Sequence, residues 1–161
     1  MDLLPEDLRQ IVFPVGRLDL TTTGLLLCTS DGDLAQRCLH PSYHLPKTYR
    51  AKVAGVPPES ALRRLRGGVE LADGWTAPAE VWLRASTAKT AELEITLREG
   101  RNRQVRRMCE AVGHEVLELE RLSMGPLTLG KLKRGEWREL SAEEVETLRG
   151  ACGLEDDAVS A

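Results

Sequence analysis

Residues 90–97 read Thr-Ala-Glu-Leu-Glu-Ile-Thr-Leu, a strict two-residue alternation. Ala91, Leu93, Ile95 and Leu97 fall on one side and Glu92, Glu94 and Thr96 on the other, so the segment is a strand with one face in a core and one in water. Lys47–Val53 behaves the same way, with Tyr49, Ala51 and Val53 opposed to Thr48, Arg50 and Lys52. Ile11–Val15, Val69–Leu71, Ala79–Leu83 and Val116–Leu122 read as further strands. Leu25–Cys28 is wholly apolar between Gly24 and a polar turn, which predicts a strand buried on both faces. Many strands interleaved with few helices argue an α+β domain with a mixed, mostly antiparallel central sheet flanked by helices.

The helices announce themselves by their ends. Leu3–Gln10 is a weak helix with Pro5 near its start. Asp31–Leu39 follows an N-cap at Ser30 or Asp31, and Pro58–Arg66 stops at Gly67-Gly68. Val105, Met108, Cys109 and Val112 recur at helical spacing up to Gly113. Ser141 and Glu144 form a capping box for a last helix reaching about Arg149.

At 161 residues the chain is long enough for one well-cored domain, and no apolar run approaches the length of a membrane span. With no secretory leader pattern, a cytoplasmic protein is expected. Cys28, Cys38, Cys109 and Cys152 lie far apart, and His40, His44 and His114 are not at metal-ligand spacing, so no metal site is expected. No Gly-x-Gly-x-x-Gly and no phosphate loop is present, so no nucleotide cofactor is expected. The net charge of −3 argues against a polyanion ligand only until its distribution is examined. Residues 98–138 carry ten basic side chains against six acidic, whereas residues 139–161 carry one against seven. A basic central segment is masked by an acidic tail, and local potential is what steers a polyanion.

Two stretches stand apart. In Val15-Gly16-Arg17-Leu18-Asp19-Leu20-Thr21-Thr22-Thr23-Gly24, the carboxylate of Asp19 sits beside the apolar run, where it is costly unless paired or hydrogen-bonded. Read alone, Asp19 is first a loop residue capping Thr21 or Thr22 in an Asx turn. In Arg98-Glu99-Gly100-Arg101-Asn102-Arg103-Gln104-Val105-Arg106-Arg107-Met108, five arginines face one carboxylate. Arg101 and Arg103 fall at a helix N-terminus that favours phosphate, and Arg106 borders the apolar stripe. Tyr49, at the start of its strand, reads equally as a core tyrosine with a wet hydroxyl or as a ring lining a cleft.

Together these stretches resemble the RsuA-type ribosomal RNA pseudouridine synthases. The first is similar to that family's Gly-Arg-Leu-Asp signature, the second to its Glu-Gly-Arg-Asn-Arg-Gln-Val-Arg-Arg-Met signature, and Pro46-Lys47-Thr48-Tyr49 to its tyrosine segment. The likeness runs over roughly 12–148, and the middle and C-terminal segments resemble the large-subunit (RluB-like) branch. The resemblance implies the pseudouridine synthase catalytic fold and isomerisation of uridine in ribosomal RNA, with 23S RNA favoured and 16S RNA as the alternative. A non-catalytic RNA-binding remnant of the fold is the competing reading.

The resemblance also implies the site. Asp19 would be the catalytic carboxylate, attacking C1′ or taking a proton from C2′; Tyr49 would pack on the base, and Arg106 would be the cationic partner of Asp19. Arg17, Thr21, Arg101, Asn102, Arg103, Gln104, Arg107 and Leu119 would bind the RNA. An ion pair between Asp19 and Arg106 is therefore expected. Neither the family's S4-type module nor its opening Lys-Pro strand precedes the first motif. The expectation is an N-terminally incomplete catalytic domain over residues 1–150, a disordered acidic tail over 151–161, and a monomer.

Overall fold

The computed structural model describes residues 3–43 and 45–154. In chain order the elements are α1 (Glu6–Arg9), β1 (Phe13–Pro14), β2 (Thr22–Gly24), β3 (Cys28–Thr29), α2 (Gly32–Leu39), a 3-10 turn (Pro41–Tyr43), β4 (Lys47–Ala54), α3 (Glu59–Gly67), β5 (Glu70–Leu71), β6 (Gly74–Trp75), β7 (Glu80–Ser86), β8 (Thr90–Leu97), α4 (Gln104–Ala111), β9 (Val116–Met124), β10 (Leu127–Thr128) and α5 (Ala142–Ala151).

The central sheet has the order β10-β9-β4-β8-β7, antiparallel throughout, with β2 added to β9 as its one parallel partner among the described residues. The alternation in β8 emerges as expected: Ala91, Leu93, Ile95 and Leu97 are buried and the residues between them are not. In β9 the period of two is interrupted twice, by register shifts opposite Thr48/Tyr49 and Lys52/Val53. Each shift inserts one residue into β9, and the inward set becomes Val116, Leu119, Arg121 and Met124. The second insertion places Arg121 directly opposite Tyr49.

Burial divides into two clusters. One joins the sheet to α3 and α4 through Leu62, Leu65, Leu93, Ile95, Met108 and Cys109. The other joins Val15, Leu27, α2, β10 and α5 through Leu34, Cys38, Leu127, Leu148 and Cys152. The caps follow the sequence: Asp31 accepts from the Leu34 amide at 3.1 Å, and Ser141 and Glu144 close their box reciprocally. Arg149 reaches back to Asp31 at 3.1 Å and so ties α5 to the start of α2.

Three expectations are corrected. Leu25–Cys28 is not a strand buried on both faces: β3 starts only at Cys28, Leu26 is exposed, Leu27 is buried in a core and Leu25 only partly packs against it. The three-threonine hinge is where a strand does form, because Thr22, Thr23 and Gly24 find the edge of β9. The ordered chain also passes the expected boundary at residue 150, since α5 runs to Ala151 and Cys152 is fully buried. The remainder of the expected tail, 155–161, and His44 lie outside the described residues. Cys109 is a buried thiol, pushed up to about 12 by burial, and Cys38 is likewise raised to about 12 by burial and by Cys152 at 3.1 Å. Cys28 is only half-buried.

Candidate active site

Asp19 lies in the loop that runs into β2. The Thr22 amide donates to the main-chain carbonyl of Asp19 at 2.9 Å, so the turn is closed by backbone and no Asx turn is made. The Asp19 carboxylate has no hydrogen bond or ion pair among the described residues. The loop is fixed from behind by β2, whose Thr22, Thr23 and Gly24 register on Leu119, Glu120 and Arg121 of β9. The Leu25 amide donates to the Arg121 carbonyl at 2.9 Å, and Arg121 Nε donates to the Leu25 carbonyl at 2.8 Å.

Asp19 opens onto a cleft of about 350 Å³ at the seam between the two clusters. Val15, Leu39, Leu97, Val105, Leu119 and Met124 supply its apolar lining. Tyr49 lines it half-buried, on the sheet face that also carries Leu119. Arg17, Asn102 and Arg103 stand exposed at the rim. Arg103 has φ of 49°, a left-handed conformation that costs an L residue about 1–2 kcal/mol. That conformation turns the loop into α4 and puts a cation at the mouth.

The structure sorts the remaining expected residues. Arg101 and Gln104 line the cleft, yet much of their hydrogen-bonding capacity is used within the protein. Gln104 Nε2 donates to Glu99 at 2.7 Å, and its Oε1 accepts from the Arg101 amide at 3.1 Å. Arg101 donates to the carbonyls of Gly74 and Trp75. Arg107 makes a bidentate pair with Asp73 at 2.9 and 3.2 Å and a bond to the Asn102 carbonyl at 2.9 Å. Two of the five arginines therefore tether the β5–β6 hairpin to the basic loop, and the Arg107 guanidinium beside Asp73 holds that carboxyl below its usual range. Thr21 does not line the cleft but a second concavity, with Thr23, Arg50 and Lys52; its buried neighbour Thr22 lines the cleft instead.

The expected ion pair of Asp19 with Arg106 is not formed. Arg106 Nη2 donates to the Thr21 carbonyl at 2.9 Å, two residues beyond Asp19. A carbonyl accepts one N–H of this half-buried guanidinium without desolvating a second charge, while its Nε is buried without a hydrogen bond among the described residues. Arg106 thus braces the loop that carries Asp19. Two cationic lining residues were not singled out from the sequence: Lys47, two positions before Tyr49, and Arg121, two after Leu119. Strand parity places each on the cleft face, and a cation at a core-facing position was the available signal.

Residues 1–111 match the family described as RNA pseudouridylate synthase, a span that includes Asp19, Tyr49 and Arg106. The chain belongs to that family. The ribosomal large subunit pseudouridine synthase B of Bacillus subtilis is 48% identical over 146 residues, covering 89% of this chain and 60% of the relative. The ribosomal large subunit pseudouridine synthase E of Vibrio parahaemolyticus is 44% identical over 143 residues, covering 80% and 60%. A crystal structure of a pseudouridylate synthase superimposes with a TM-score of 0.83 at 33% identity, over 91% of this chain and 64% of that one. The chain spans about three fifths of the length of the curated relatives it matches. The match confirms the pseudouridine synthase fold expected from the sequence. Among the described residues no helix is long and apolar enough to cross a membrane, and no group of three His, Cys, Asp or Glu side chains is placed to hold a metal ion.

In this family member the basic loop is expected to divide its labour. Arg103→Ala should lower the salt dependence of RNA binding by about 0.7 in log–log slope, the value for one single-strand phosphate contact. Arg107→Ala should change that slope by clearly less and instead free the β5–β6 hairpin, read as faster amide exchange at Leu71 and Trp75. Equal slopes for the two variants would refute the tether.

Proposed function

We propose that this domain isomerises uridine to pseudouridine in ribosomal RNA, that of the large subunit, acting as a monomer in the cytoplasm. The observation that carries the proposal is the unengaged carboxylate of Asp19, held by backbone alone at the edge of a cleft with apolar walls and a basic rim. The names borne by the Bacillus and Vibrio relatives support the choice of RNA.

The geometry suits the chemistry. A uridine must leave its stack to be reached, and the cleft offers a pocket for one base with cations at its mouth for the flanking phosphates. Breaking the N1–C1′ bond builds positive charge on the ribose, and a single carboxylate near C1′ and C2′ is the group that answers it. Asp19 fills that role, by attack at C1′ or by proton removal from C2′. Tyr49 supplies the aromatic surface against the base. Arg106 is a positioning residue, holding the Asp19 loop through the Thr21 carbonyl. Arg17, Asn102 and Arg103 meet the RNA backbone.

Release of tritium from RNA labelled at uridine C5 tests the isomerisation, since C5 loses its hydrogen when it joins C1′. Binding of the RNA without tritium release would make the protein a non-catalytic remnant of the fold. Mapping pseudouridine in ribosomal RNA from cells with and without the gene then names the site and distinguishes large-subunit from small-subunit RNA.

A further inference from the structure

Lys47 and Arg121 form a pair of cations on the sheet face of the cleft that the roles above leave unused. Lys47 and Tyr49 lie two apart in β4 and share a face; Arg121 is the cross-strand partner of Tyr49 in β9. Directly opposed side chains on one sheet face have Cβ atoms about 4.5–5.5 Å apart. Apolar side chains lie close to the pair, with Leu97 opposite Lys47 in β8, and Leu119, Val105 and Met124 line the same cleft together with Glu99, which bonds to Gln104. Arg121 is 4% exposed.

Neither cation has a carboxylate partner among the described residues. Arg121 uses Nε on the Leu25 carbonyl, while its Nη2 is buried without a hydrogen bond. Burial and the neighbouring charge of Arg121 both weaken the hold of Lys47 on its proton. Two like charges side by side in an apolar setting are costly, and an anion between them is what offsets the cost.

We propose that Lys47 and Arg121 are the leaving-group subsite, which receives the uracil ring as an anion after its bond to ribose is cut. The inference rests on the isomerase reading above. When N1–C1′ breaks heterolytically, the bonding pair departs with N1 and its charge spreads onto O2 and O4. Asp19 meanwhile answers C1′ or takes the C2′ proton. The ring anion must be held while it turns. C5 then bonds to C1′, C5 loses its proton and N1 gains one, so atoms balance without a co-reactant. A flat, delocalised anion suits two cations between apolar walls. The RNA phosphates, compact and strongly hydrated, are served at the rim by Arg17 and Arg103. Fixed charges aimed at a developing anion in a dry site are among the largest catalytic effects available.

The probe is barbiturate, a pyrimidine ring that shares the C2 and C4 carbonyls of uracil, carries a third at C6 and is anionic at neutral pH, compared with neutral uracil and inorganic phosphate in calorimetric titrations of the full chain. Wild type should bind barbiturate at least about tenfold more tightly than uracil, the value of one charge-assisted hydrogen bond. Lys47→Met should remove that preference and leave uracil affinity unchanged, and Lys47→Arg should restore it. In single-turnover assays Lys47→Met should slow isomerisation with RNA affinity kept. Equal binding of barbiturate and uracil, no detectable barbiturate binding, or full competition by phosphate would overturn the subsite. Because Arg121 also braces Leu25, Arg121→Met is judged only where its melting temperature matches wild type, and Lys47→Met decides otherwise. Barbiturate preference in a protein that releases no tritium would leave an anion site at Lys47 and Arg121 but reject the isomerase reading and, with it, the leaving-group role.

Discussion

Asp19→Asn is expected to reduce single-turnover isomerisation by on the order of 10⁴-fold, the scale of losing an essential carboxylate from a catalytic unit. The amide keeps the shape and the turn, because that turn is closed by the main-chain carbonyl rather than by the side chain. Only the negative charge is removed, and with it the group proposed to answer the ribose cation. RNA affinity should stay within about twofold, as for substitutions that disturb no packing, and any change should be toward tighter binding. The sign follows from the partners: the carboxylate has no cation to release and repels the phosphates that Arg17 and Arg103 attract. Comparable turnover by the variant, or a loss of RNA binding that matches its loss of rate, would reject the assignment.

The second large effect lies at a residue with no side chain. Gly24 ends β2 with φ of 110°, and a Cβ placed there would overlap the backbone of Arg121. Neither strand can yield easily, because the Leu25 amide and Arg121 Nε lock the same crossing. Gly24→Ala is expected to cost about 3 kcal/mol of stability, through clash and backbone strain together. It should also push β2 off β9 and move Asp19 with it. A displacement of an ångström at a catalytic group costs about 10²-fold in rate, so activity should fall by at least that in the fraction that remains folded. Gly32→Ala is the control: no atom lies near the added carbon, the residue opens α2, and the change should be neutral or slightly stabilising. Equal melting temperatures and rates for the two variants would show that the β2–β9 contact does not hold the site.

The sequence made legible whatever depends on a residue's near neighbours. The alternation of β8, the apolar stripe of α4 and the box of Ser141 with Glu144 each reflect contact with water on one side and a core on the other. The site was legible to the extent that its residues carry its motifs, and Asp19, Tyr49, Leu119 and the rim cations all reach one cleft. What escaped depends on partners far along the chain. Three consecutive threonines favour extended backbone but show no apolar alternation, and β2 exists because the edge of β9 is there to receive it. The bulges of β9 cannot be read locally either, so the inward position of Met124, three residues after Arg121, breaks the expected parity. Arg106 was matched to Asp19 by the resemblance and by charge, whereas its guanidinium bonds to a carbonyl two residues beyond Asp19.

The crossing that locks Asp19 joins Leu25 and Arg121, residues 96 positions apart. Contacts of such long sequence separation are slow to form, because the loop must close before it is rewarded. Synthesis is vectorial, so the Asp19 loop leaves the ribosome long before the strand it needs. For that interval the first motif can be present without its geometry, and β9 acts as the keystone: the site is assembled only after β9 has been made.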